Sequence, residues 1–406
     1  MKRIFDPIHR FIELDAAEIA LLDAPPLQRL RRLRQLGLAY LAFPSAEHSR
    51  FSHVLGALAV GDRVLAALRA QDDGYFADDR DYRTQRALVR ASLLLHDVGH
   101  GPFSHSCESV LGIHHEARTQ AILALPEIRA GLARLDVDPA EVIALVTGEQ
   151  TTKYPVLKEI VSGPNLDADR MDYLLRDTYF TGVASGRYDS EQLIASLRVL
   201  ERNGQPALGV DGRAVVALES FVVARYMMFA TVYFHHTTRM FEHILHQALH
   251  ALWPNPRRLD AIGEFLAWDD FRVVDALRDL DAPAARALRE RRRLYGLVAE
   301  FNAERDLSVY EACRVALERR FGGAVWADAQ EQLLHRLPLG VEADGPTVLV
   351  RTPAGAIDAR AASDLIAKLS GKAYWRKLYV EKASANVGEA REICNAIVAQ
   401  ARSARG

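Results

Sequence analysis

The stretch Leu94-Leu95-His96-Asp97-Val98-Gly99-His100-Gly101-Pro102-Phe103-Ser104-His105 decides the reading of this chain. Just upstream, Leu88, Ala91, Leu94 and Leu95 form one apolar stripe at helical spacing between Gln85 and His96. The helix therefore ends in adjacent His and Asp, two metal-competent side chains on a rigid element at the floor of a cavity. Gly99 and Pro102 stop it, and the glycines allow the tight turns that bring His100 and His105 back toward the same space. A lone His-Asp pair is common in protein cores. Two more histidines close by, separated by Gly-His-Gly-Pro punctuation, go beyond what packing requires.

Composition supports a site here. Of 14 histidines, seven (His48, His53, His96, His100, His105, His114 and His115) fall between positions 48 and 115. Histidine is both a frequent metal ligand and the usual acid or base near neutral pH. The remaining composition is ordinary for a globular chain of 406 residues, with 49% hydrophobic and 26% charged residues. A net charge of −2 gives no global case for nucleic-acid binding. Three scattered cysteines, Cys107, Cys313 and Cys394, make neither a disulfide framework nor a cysteine metal site. The longest unbroken apolar run, Leu38 to Phe43, is far short of the roughly 20 residues of a membrane span. The N-terminus has no apolar stretch of secretory type, so a cytoplasmic protein with no membrane partner is expected.

Working outward, the first 255 residues read as mostly helical. Leu27, Leu30, Leu33 and Leu36 predict a helix closed by Gly37, and Ser52 to Leu68 predicts another. Asp167 to Thr178 and Glu219 to Leu252 read as further helices. The turn signals Asn203-Gly204 and Asp211-Gly212, with Ala207-Leu208-Gly209-Val210 and Arg213 to Ala217 beside them, predict an inserted hairpin. Pro254-Asn255-Pro256 marks a boundary. The expected organisation is a catalytic domain over 1–255, a helical segment over 256–340 and a small α/β unit over 341–406. In that last unit strands are expected at Thr347 to Thr352 and Lys377 to Val380, then a helix from Val387 to Ala401.

A metal held only by His96 and Asp97 would be under-coordinated, so further donors must come from distant helices. His53, in Arg50-Phe51-Ser52-His53, and Asp169, in Asp167-Ala168-Asp169-Arg170-Met171-Asp172-Tyr173, supply the types required. Two imidazoles and two carboxylates suit a divalent metal ion: Mn, Fe, Co, Ni, Zn or Mg. Asp169, Asp172, Tyr173 and Arg176 fall on one helix face. His9, His48, His114, His235, His236, His243, His246 and His250 read as structural or surface residues.

The order His…His-Asp…Asp resembles that of the HD-domain phosphohydrolases. Longer strings resemble their deoxynucleoside triphosphate triphosphohydrolase branch: Asp6-Pro7-Ile8-His9, Leu27-Gln28-Arg29-Leu30-Arg31, Gln35-Leu36-Gly37, Arg50-Phe51-Ser52-His53, the His-Asp segment through His105, and Asp169-Arg170-Met171-Asp172-Tyr173. The resemblance covers residues 1 to about 250. It implies a mainly α fold: an HD-domain helical core with a short β-hairpin and a small α/β C-terminal unit. It implies metal-dependent hydrolysis of deoxynucleoside triphosphates to deoxynucleoside and inorganic triphosphate.

Position by position, the resemblance implies His53, His96, Asp97 and Asp169 as metal ligands. It puts His100, His105 and His115 around the scissile phosphate, with Glu108 orienting His105. Arg50, Arg170 and Arg225 would hold the triphosphate. Gln35, Tyr173 and Asp177 would contact the deoxyribose, Leu36 would be a further substrate-binding residue, and Tyr233 would close the sugar pocket against a 2′-hydroxyl. Asp23, Gln28 and Arg31 correspond to residues that bind an activating nucleotide between subunits, so a homo-oligomer (dimer or tetramer) is implied. Two other readings stay open. One is an HD phosphohydrolase acting on nucleoside monophosphates or cyclic nucleotides, which would leave some arginines unpaired. The other is a nucleotide or single-stranded nucleic-acid binding module with secondary activity.

Overall fold

The computed structural model describes all residues except 72–73, 148–151, 164, 334–347, 370–371 and 404–406. The chain is mainly α-helical, with small sheets at its start, middle and end. The described strands are β1 (Lys2–Asp6), β2 (Arg10–Leu14), β3 (Leu197–Arg202), β4 (Gln205–Asp211), β5 (Tyr295–Phe301), β6 (Val325–Leu333), β7 (Leu349–Thr352), β8 (Gly355–Asp358) and β9 (Lys372–Glu381). β1 and β2 form an antiparallel hairpin, β3-β4-β7-β8 a four-stranded sheet, and β5-β9-β6 a three-stranded sheet.

The central helices Arg50–Gln71, Asp79–Leu95 and Ala168–Thr181 pack together around Val54, Leu58, Val89, Leu93 and Leu174, none more than 1% exposed. Close approach needs small residues: a Cβ on Gly61 would stand 2.3 Å from Leu93 Cδ1. Arg50–Gln71 and Gly212–Tyr233 have the length and mean composition of a membrane span, although polar residues interrupt both. Arg50–Gln71, however, turns Arg50 and His53 inward among buried residues, as a core helix of this bundle.

Several expectations need correction. Leu27, Leu30 and Leu33 are buried as their spacing implies, yet the α-helix stops at Arg29 and a single 3-10 turn follows. Beyond it the backbone turns outward to tertiary partners: Arg34 N–H donates to Asp270 Oδ2, Gln35 N–H to His48 O and Arg50 N–H to Leu33 O. These bonds replace the helical ones. The inserted hairpin turns at Asn203-Gly204, with both residues at positive φ. Asp211 ends β4 and caps the following turn, and 213–217 is helical rather than a strand. β5 and β6 fall where only helices were expected; both faces of their sheet are covered, which removes the alternation that marks a half-exposed strand.

The expected units also exchange strands. β7 lies parallel to β4, pairing Val210 with Val350, and Val348, Val350, Ala359 and Ile366 join the first core. A second core joins the His236–Leu252 helix, the helices Asp270–Ala276 and Pro283–Arg289, and Phe103 from the His-Asp loop. A third lies between the β5-β9-β6 sheet and the helices Leu307–Phe321 and Val387–Ser403.

Candidate functional site

Three helix ends deliver the central donors. His53 sits in the first turn of Arg50–Gln71, His96 follows the last residue of Asp79–Leu95, and Asp169 lies in the first turn of Ala168–Thr181. Their ligand atoms all lie within 4.8 Å of one another. His53 Nε2 is 2.9 Å from Asp169 Oδ1 and 3.3 Å from His96 Nε2. Both imidazoles turn Nε2 inward, because each Nδ1–H has an outer acceptor: the Leu93 carbonyl for His96 (2.8 Å) and Asp172 for His53 (2.8 Å). Such outer bonds are the usual way metal-binding histidines are oriented. Asp97, the fourth expected ligand, adjoins the group, with Oδ2 3.8 Å from His53 Nε2. Its carboxylate is held by Arg50 Nη1 at 2.5 Å and lies 3.3 Å from His100 Nε2.

The electrostatics suit a cation. Burial opposes charge on His53, but hydrogen bonds to Asp169 and Asp172 outweigh it and raise its pKa to about 10. Burial also opposes charge on Asp169, and His53 and His96 nevertheless hold that carboxyl well below its usual range. Positive charge is therefore stabilised where the three donors converge, so the residues present fit a divalent ion.

A second group adjoins the first. Glu108 Oε1 lies 3.2 Å from His100 Nδ1 and 3.1 Å from His115 Nδ1, and the two rings stack at 4.0 Å. The structure thus sets Glu108 between His100 and His115. His105 opens the helix His105–Leu111, and its side chain lies outside the described residues. Burial, with Arg50 and His115, presses the His100 pKa down to about 4 against the pull of Asp97.

A cavity of about 1000 Å³ runs past both groups and is lined by Arg50, Arg170, Gln35, Leu36, Tyr173, Asp177 and Tyr233. Tyr233 donates to Asp177 Oδ2 at 2.8 Å. Gln35 Oε1 and Thr238 Oγ1 are buried on this wall with no hydrogen-bond partner among the described residues. Arg170 pairs with Asp167 and the Gly163 carbonyl, while Arg225 is buried 5.7 Å from the Phe229 ring.

Comparison with known proteins gives the same answer. The family described as the HD associated region matches residues 188–311. A crystal structure of a hypothetical protein from Aquifex aeolicus superposes with a TM-score of 0.81 at 30% identity, covering 97% of this chain and 99% of that one. The uncharacterised protein YwfO of Bacillus subtilis is 39% identical over 251 residues, 60% of this chain and 54% of the relative. The deoxynucleoside triphosphate triphosphohydrolase SAMHD1 of Danio rerio is 27% identical over 315 residues, 70% of this chain and 49% of the relative. The chain belongs to the HD-domain phosphohydrolase family. It spans about half the length of the curated relatives it matches.

Within this HD-family site, sequence reasoning missed the residues that brace Asp172, Asp177 and the His-Asp loop. His48, read as spare, places Nε2 2.7 Å from Asp177 Oδ1 and stacks on Phe180. His9, also read as structural, lies 2.6 Å from Asp172 Oδ1. Asp270 accepts the Phe103 and Arg34 backbone N–H groups, and Arg29 donates to the His100 and Trp268 carbonyls. The partners are far apart in sequence, so spacing carries no sign of them. Asp6-Pro7-Ile8-His9 was the one visible signal. Of the residues expected to bind an activating nucleotide, Arg31 donates to Gln28 Oε1 and lies over the Phe51 ring at 3.5 Å. Gln28 donates to the Leu22 carbonyl, and Asp23 is exposed at a helix end. His243 and His246 form no metal group: His243 stacks on Trp326 and His246 lies 3.2 Å from Ser109 Oγ.

Proposed function

We propose that this HD-family chain hydrolyses deoxynucleoside triphosphates to deoxynucleoside and inorganic triphosphate. The observation that carries the reading is the continuity of one cavity from the His53–His96–Asp169 group, past Arg50 and Arg170, to Gln35 and the Tyr233–Asp177 pair. Polyanion, nucleoside and donor cluster then lie in one line, as the SAMHD1 relatives' activity requires.

His53, His96 and Asp169, with Asp97 beside them, would hold a divalent ion, which when bound supplies Lewis acidity at a phosphate and activation of water. Arg50 and Arg170 present permanently charged guanidinium groups to the phosphates. The buried Gln35 Oε1 accepts from the nucleoside, which removes the cost of an unpaired acceptor. The Tyr233–Asp177 pair, braced by His48, forms the wall beside the sugar 2′ position. A histidine of the His100, His105 and His115 set protonates the leaving 5′-oxygen, a transfer worth about 10² to 10⁴ in rate. Glu108 Oε1 keeps His100 and His115 in register for it.

The test is to incubate the metal-loaded chain with each dNTP alone and in pairs, separating products by ion-exchange chromatography. Triphosphate and deoxynucleoside are expected, with His53→Ala at least about 10³-fold slower because the donor group is broken. Orthophosphate or monoester as product, or equal rates for wild type and variant, overturns the reading. The same reading includes a homo-oligomer, and sedimentation as a monomer with and without nucleotide would refute that part.

A further inference from the structure

The N-terminal hairpin reaches into the metal site. Between β1 and β2, Asp6 Oδ1 accepts the Ile8 and His9 backbone N–H groups, each at 2.9 Å, which fixes the course of the turn. The turn directs His9 inward, with its side chain only 3% exposed, and puts Nε2 2.6 Å from Asp172 Oδ1. The other Asp172 oxygen lies 2.8 Å from His53 Nδ1. Arg176 spans both oxygens through Nε and Nη2, at 2.8 and 2.9 Å, and ties back to Asp6 Oδ2 through Nη1 at 2.8 Å. Asp172 and Arg176 are completely buried.

This closed ring of contacts has a chemical consequence. A carboxylate gripped by a guanidinium is an acceptor only, so the His53 nitrogen facing it must be the one that carries hydrogen. His53 Nε2 is then the free lone pair, turned toward His96 and Asp169. Asp172 accepts four bonds, and three of them decide where its Oδ2 sits: the two of the Arg176 fork from one side and that of His9 from the other. Arg176 alone leaves the carboxylate free to rock about the fork. His9 removes that freedom.

We propose that His9 is a positioning residue for the metal site: by holding Asp172 it fixes the ring angle of His53, so the N-terminal hairpin sets the affinity for the divalent ion. The inference rests on His53 being a ligand, as in the reading above. Loss of such an outer bond typically lowers metal affinity 10- to 100-fold.

The experiment uses the full chain stripped of metal and titrated with cobalt(II) alone, followed by its visible absorption and by bound metal after gel filtration. His9→Phe keeps an aromatic ring in the turn and loses the donor; His9→Gln restores a donor near the Nε2 position. Cobalt affinity 10- to 100-fold weaker in His9→Phe, with circular dichroism unchanged, and within about threefold of wild type in His9→Gln, is the expected result. Unchanged affinity in His9→Phe, or equal losses in both variants, overturns the proposal while the metal reading stands. If wild type and His53→Ala bind cobalt alike, the metal reading itself fails and the proposal with it. Should His9→Phe not fold, the zinc-loaded wild type decides by long-range ¹H–¹⁵N correlation. A slowly exchanging proton on His9 Nε2, shared with Asp172, supports the proposal, and its absence overturns it.

Discussion

Asp172 and Asp177 lie on the same helix, and each is gripped on one oxygen by a histidine from far away in the chain: His9 and His48. Their other oxygens face the working residues His53 and Tyr233. The space around Asp172 is filled so completely that residue 56 must be glycine. A Cβ there would stand 2.0 Å from Asp172 Oδ1 and 2.2 Å from Arg176 Nη2. Gly56→Ala should therefore destabilise the chain by about 1–3 kcal/mol, the usual cost of overfilling a packed site. It should also weaken cobalt binding, read by urea unfolding and metal titration on the same sample. At this scale the sequence was half legible. His53, His96 and Asp169 were visible because their flanking strings are distinctive, and the structure brings them together. Gly56 and His48 were not, because their importance lies in side chains that the fold, and no local pattern, places against them, and His9 showed only through the string Asp6-Pro7-Ile8-His9.

Among elements, the loop after His96 depends most on others. Phe103 and Ser104 both adopt positive φ (54° and 57°), a region that side chains disfavour. Asp270, at the start of the Asp270–Ala276 helix, holds the Phe103 N–H at 2.8 Å, and Arg50 donates to Ser104 Oγ. Burial pushes the Asp270 pKa up to about 6, against its two backbone donors and Arg34 and Arg50. Unfolded, an Asp titrates near 4, so between pH ~4 and ~6 the folded chain binds the extra proton. The contribution of Asp270 to stability is thus largest below pH ~4. It falls as pH rises through 6, by up to about 3 kcal/mol. Asp270→Asn stays neutral and should lack that slope. Urea unfolding from pH 4 to 7 should show the advantage of wild type over Asp270→Asn shrinking to a plateau above pH ~6. An advantage that grows with pH would contradict it. The Asp79–Leu95 helix and its stop were readable from apolar spacing and Gly99, but the clamp on the loop was not, since Asp270 lies in a segment that reads only as polar and amphipathic.

At the scale of the whole molecule, the helical class was legible in the periodicity of the core helices, whereas the sheets were assembled from pieces too distant to pair by inspection. β7 completes a sheet begun by β3 and β4, and the His236–Leu252 helix buries its apolar face against residues 259–287. A chain cut at 255 loses both covers. It should accumulate in the insoluble fraction on expression. A soluble, cooperatively unfolding 1–255 fragment would show that the cores are independent. The bond between Phe103 and Asp270 spans 167 residues. At about 5–20 residues per second of synthesis, Phe103 exists for roughly 8 to 33 s before its anchor is made. His53 and His96 are made before Phe103, and Asp169 follows within that interval. On the proposed metal reading a nascent chain would thus meet its cation before the neighbouring loop is locked, so metal supply during translation, and not only in the finished protein, would bear on the yield of competent molecules.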